Sequence, residues 1–191
     1  MTIYSYSIRR KIALALGAGA MLVATVAGPA FAADVVTQVI TAGTRSASVA
    51  NLTLGSVAYS HSAQSSTGSM TLTADDSTGS GLGWNVTIIS SAFVYSGANG
   101  GTNIPAADFA LTSAAAPVAT AGQAVNGVGG PKVPTISPVG TLDAARKTVQ
   151  ALVTFGQGTY TQALGVDLTI PAGSRTGTYT GTLTTTIAAA P

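Results

Sequence analysis

Cysteine is absent, and with it disulfides, thiolate metal sites and thiol chemistry. Glutamate is absent as well, and histidine occurs once, at His61. Charged residues make up 7% of the 191, against roughly 25% in an average globular chain. So little charge excludes an electrostatically driven nucleic-acid binder. So few titratable groups leave little to build an active site from. No catalytic residue, metal site or cofactor is expected. What fills the chain instead is Thr, Val, Ile, Ser and 23 glycines, residues that favour strands and turns over helices.

The formal charge of +2 is unevenly placed. Arg9, Arg10 and Lys11 precede an uncharged apolar run from Ile12 to Ala27, and Ala30-Phe31-Ala32 follows. A basic start, an apolar middle and an A-x-A site make residues 1–32 a secretory signal peptide. The apolar run falls short of the ~20 residues that span a bilayer. Ile8 and Lys11 beside the arginine pair favour ordinary export over a twin-arginine route. Removal of 1–32 leaves Arg45, Lys132, Arg146, Lys147 and Arg175 against six Asp, a net charge of −1. No basic patch survives for nucleic acid or anionic lipid. No second hydrophobic span follows, so residues 33–191 are expected to be exported and not inserted in a membrane.

Period-two alternation runs through that remainder. Met70, Leu72 and Ala74 share a face, as do Trp84, Val86 and Ile88, and Val166, Leu168 and Ile170. Near the C-terminus Tyr179, Leu183 and Ile187 alternate with Thr178, Thr180, Thr182, Thr184 and Thr186, which predicts one strand with a core face and a threonine face. Ser77–Gly83, Ser96–Asn103, Ala121–Pro138 and Pro171–Gly173 punctuate the runs as turns and loops. Thr141–Lys147 is the one stretch suited to a helical turn, with Thr141 as its cap. Val35–Thr41 reads as a strand free to pair with a neighbour's sheet edge. Many short strands between such turns predict an all-β fold, a single antiparallel β-sandwich over 33–191.

Four residues stand out as candidates for ligand binding: Trp84, Asn85, Asp75 and Asp76. Trp84 reads two ways, as a core anchor or as a ring that stacks on a sugar with Asn85 beside it. Asp75-Asp76 before Ser77-Thr78-Gly79 fits turn capping better than calcium, which needs six to eight oxygens. Gly79, Gly81 and Gly83 do not form a phosphate loop, because a strand pattern follows them and not a helix. His61 has no G-x-S-x-G serine to serve and reads as a polar loop residue.

The residues from Leu72 to Val86, with Asp75-Asp76, the glycine turn and Trp84-Asn85-Val86, together resemble the WxL domain of Gram-positive cell-surface proteins. The C-terminal run Gly177-Thr178-Tyr179 to Ile187, with Leu168–Gly173 before it and Pro191 after, is similar to the close of that domain. The resemblance covers about Gly68 to the end and marks a distant member. Val86 stands for the family's Leu, and Thr185 and Ile187 stand where the second motif has Trp and Leu. It implies a cell-wall-associated surface protein holding peptidoglycan, or another surface protein, non-covalently. The alternative is a structural subunit of a surface fibre, pilus or surface layer that associates with itself.

Overall fold

The computed structural model describes residues 36–136 and 138–189. The expected signal peptide, 1–32, lies outside the described residues. The chain divides between Val39 and Ile40. Of the first unit, residues 36–39 are described; they are exposed and belong to no strand. The second unit holds every strand found among the described residues.

In chain order the strands are β1 Arg45–Val49, β2 Gln64–Asp76, β3 Trp84–Ser90, β4 Val94–Ser96, β5 Phe109–Ala114, β6 Val118–Gly122, β7 Gly140–Thr141, β8 Arg146–Ala151, β9 Gly158–Ile170, β10 Thr178–Thr180 and β11 Leu183–Ala189. One 3-10 turn, Ala106–Asp108, precedes β5, and no α-helix occurs among the described residues. The larger sheet runs β1-β2-β9-β5-β7. Its spine is the pair β2–β9, antiparallel in unbroken register from Gln64↔Ile170 to Asp76↔Gly158. The other edge of β9 is shared by β5 and β6. The second sheet runs β11-β3-β8, and β10 pairs with β4 apart from both.

The fold is the all-β antiparallel sandwich that the alternation predicts. Met70, Leu72 and Ala74 from β2 and Leu164, Val166 and Leu168 from β9 are buried against Trp84, Val86 and Ile88 from β3. Two aromatic contacts cross the core: Trp84 with Tyr160 at 6.0 Å between ring centroids, and Phe93 edge-on to Phe109 at 5.1 Å. At about 1.5–3 kcal/mol per buried large apolar side chain, this one layer supplies the main favourable term for folding.

Three local expectations are corrected. Thr141–Lys147 holds no helical turn: β7 ends at Thr141, β8 begins at Arg146, and Arg146 Nε donates to Thr141 O across the bend. Leu142 O, which a helix would give to the Arg146 N–H, accepts instead from the Ser90 N–H at 2.8 Å. The C-terminal strand is two strands. Its alternation is uninterrupted, yet β10 joins β4 while β11 joins β3. The break falls at Gly181, where a Cβ would lie 3.0 Å from the Phe93 ring. The described part of Val35–Thr41, residues 36–41, lies in no strand.

Candidate functional site

The end of the sandwich where β2 hands over to β3 carries three of the four sequence-derived candidates. Asp75 and Asp76 close β2, and a seven-residue turn leads to Trp84. Asp76 is buried and ion-paired: Arg45 Nη2 donates to its Oδ2 at 2.9 Å. Its Oδ1 accepts the Thr78 N–H at 3.1 Å and the Thr78 hydroxyl at 2.6 Å. Burial pushes the Asp76 carboxyl up, but the hydrogen bonds from Arg45 and Thr78 and the guanidinium charge outweigh it and hold the group below the ordinary carboxylate value. Asp75 accepts from Thr159 Oγ1 and Ser77 Oγ, both at 2.7 Å. Each carboxylate oxygen of the pair thus has a partner within the turn and its neighbours, the capping role that adjacent Asp before Ser-Thr-Gly supports. Among the described residues no three His or Asp side chains converge as a metal site would require.

Trp84 belongs to the core. It is 0% exposed, and its Nε1 donates to Gly156 O at 2.8 Å. The approach is close: Gly156 sits at φ +79°, and a Cβ there would lie 2.7 Å from Nε1. Of the two readings of Trp84 the structure has the core anchor; a ring with no exposed face has none to offer a sugar. Asn85 is half-buried on the outer face of β3, between Gln150 and Ala188 in register. Asp75 lies on the outer face of β2, since its neighbours Ala74 and Asp76 point inward. Asp75 and Asn85 therefore occupy outer faces of opposite sheets, and the four candidates do not form one site.

What this end does form is a platform of three tied loops. The turn 77–83 is joined to 152–157 by the Thr154 N–H on Gly81 O at 2.7 Å. The segment 123–130 is joined to the same loop by Leu152 N–H on Gly129 O and by Gln123 Nε2 on Thr154 O. Tyr160, on β9 beneath them, donates its hydroxyl to Gln123 O at 2.7 Å. Burial, and then the Asp76 charge, push that phenol up, which keeps it a donor. The platform exposes Leu82 (57%), Val128 (78%), Val125 and Val153, beside the exposed hydroxyls of Ser77 and Ser80. Sequence reasoning passed over the three valines. The available signal was apolar residues inside turn segments, as in Val125-Asn126-Gly127-Val128, where no strand alternation accounts for them.

His61 lies at the opposite end, edge-on to Tyr59 at 5.2 Å, beside the Gly173 N–H to Ser60 O contact. There the run 52–60 and the chain from Ser174 to Gly181 border a groove of about 660 Å³. A second hollow of about 620 Å³ shares Leu52, Leu54, Phe93 and Gly181 with it and extends toward Ala47 and Thr185. No protein-family model, no curated protein and no solved structure matches the chain.

Proposed function

We propose that this protein is an exported surface β-sandwich that holds a cell-wall polymer of the peptidoglycan class, or a surface partner, non-covalently and without catalysis. The observation that carries the reading is the three-loop platform. Exposed Leu82, Val125, Val128 and Val153 offer apolar contact to the C–H faces of sugars or to a peptide stem. Ser77, Ser80 and Asp75 border the same turn with hydroxyl and carboxylate groups able to bond sugar hydroxyls. Hydrogen bonds between the loops pre-organise the surface, which lowers the ordering cost of binding. The WxL-like residues at 72–86 and 177–187 support the same reading. Their two motif strands lie side by side, Ile187 opposite Val86 and Ala189 opposite Trp84.

Binding of this kind draws little on charge. The protein is expected to co-sediment with purified peptidoglycan about equally at low and high salt, whereas capture through Lys and Arg would be released by salt. Failure of the unaltered protein to sediment with wall material at either salt would remove the reading.

A further inference from the structure

We propose that residues 36–42 of one copy lie as an added β-strand in the groove of a second copy, between the run 52–60 and strands β10 and β11, joining copies head to tail. The inference goes beyond wall binding: the acceptor groove is at the end opposite the platform, and the donor segment leaves beside Ser77 at the platform end.

The groove is where the sandwich is left open. β1 and β11, the terminal strands of their sheets, lie against each other, and the opening falls beyond them, where β10, paired with β4 on one side, faces the run 52–60. Beyond β1 the run 51–59 stays extended beside β2 but joins no strand ladder; Ala50 N–H to Thr71 O and Ser66 Oγ to Gly55 O tether it. Leu52, Leu54, Ile170, Tyr179 and Leu183 pack on the core from its two walls yet remain half-buried. An added strand would cover these side chains and pair with a backbone edge, the mode of β-augmentation.

The occupant is argued from the chain itself. Val36 is 95% exposed, Val39 71% and Ile40 91%, in a segment rich in β-branched residues that belongs to no strand. The segment 36–42 carries no charge, and Arg175 is the single charged residue lining the groove. A second copy is required by reach. The segment leaves the sandwich at Gly43, whose N–H bonds Ser77 O past the end of β2. From there to Val36 the chain spans at most about 24 Å. The far half of the groove begins where Leu54 packs on Gly68 and runs to Gln64. That is about 30 to 43 Å along β2 from Ser77. The chain's own segment falls short, while the segment of a copy docked at the groove mouth runs inward, antiparallel to β10 and β11. Donor at one end and acceptor at the other make a heterologous contact, which continues into a filament where the rotation does not close.

The chain has no cysteine, so introduced thiols report alone. In the proposed register position 40 of the donor lies beside position 57 of the acceptor. The whole chain carrying Ile40→Cys and the whole chain carrying Val57→Cys are each oxidised alone, then mixed in equal amounts, with folding checked by thermal melting. Each alone is expected to stay monomeric on a non-reducing gel. The mixture is expected to give a dimer and nothing larger, and the double variant a ladder of multimers. Disulfide-linked dimers of either single variant would mean like segments meet, and would overturn the proposal. A double variant that closes within one chain would overturn it as well, as would folded proteins that form no cross-link. Wall co-sedimentation of the same single variants is read separately, so either reading can fail without the other.

Discussion

Arg45 and Asp76 face each other twice over: they are register partners in the β1–β2 ladder, and Arg45 Nη2 stands 2.9 Å from Asp76 Oδ2. The pair joins the edge strand of the larger sheet to the turn that leads into Trp84. Removing one partner leaves a buried charge, whereas replacing both is much less costly.

Asp76 makes the fold acid-sensitive. Its carboxyl titrates below the ordinary value in the folded protein. Its contribution to stability is therefore full above the unfolded pKa and is lost as pH falls through the folded one. Urea melts between pH 7 and pH 2.5 are expected to show stability declining below about pH 4, the unfolded carboxylate range. Asp76→Asn is expected to cost about 3 kcal/mol at pH 7, the low end for a broken buried pair, because water reaches part of Arg45. It is also expected to flatten the acid slope. Equal slopes in the two proteins would assign the acid loss to other carboxylates.

Trp84 is expected to govern stability and leave ligand contact unchanged. Trp84→Phe keeps an apolar ring but leaves Gly156 O without its donor and vacates part of the indole volume. The expected loss is about 2–4 kcal/mol, combining an unpartnered carbonyl with a partial cavity. Thermal melting should remain cooperative, and sedimentation with peptidoglycan should match the wild type in the folded fraction. Binding lost from a fully folded variant would return Trp84 to the site.

Thr148 offers a change in the opposite direction. It is fully buried, and its hydroxyl has no hydrogen-bond partner. An unpartnered buried hydroxyl costs on the order of 1–3 kcal/mol, and valine has the same branched shape without it. Thr148→Val is expected to hold stability level or raise it by about 1 kcal/mol in urea melts. A loss above about 1 kcal/mol, more than removing an unpartnered group explains, would mean that the hydroxyl has a partner in solution.

β2, β3 and β9 were legible because each buries one face. Val166, Leu168 and Ile170 announce β9 through strict alternation, and the inward face continues back through Leu164, Gln162 and Tyr160. Gln162 hides in that pattern because a polar residue breaks the sequence signal, while its Nε2 is satisfied by Ala115 O and Thr148 O. The C-terminal run shows the limit of alternation: it gives the face of every residue from Thr178 to Ile187 but not the change of partner at Gly181, which depends on distant Phe93. Trp84 was ambiguous for a similar reason. Alternation put it on the same face as Val86 and Ile88, and only Gly156 and Tyr160, more than seventy residues away, make that face closed. The loop platform left almost no trace, since apolar residues in turns carry no period to read.

The platform itself is the place where binding should be lost without loss of the fold. Leu82 and Val128 are 57% and 78% exposed, on two of the tied loops. Substitution at such positions usually changes stability by less than about 0.5 kcal/mol. Neither side chain makes the hydrogen bonds that hold the loops, which run through backbone groups and Gln123. Leu82→Asp with Val128→Asp adds two charges to a surface whose contacts are proposed to be apolar. Each charge must then be desolvated against the ligand. Co-sedimentation of the double variant with peptidoglycan is expected to fall at least tenfold, with the melting temperature within a few degrees of wild type. A weaker, salt-sensitive loss would point to repulsion from an anionic polymer instead of lost apolar contact. Unchanged sedimentation of a folded variant would take the platform out of the binding surface and leave wall attachment, if present, to another face.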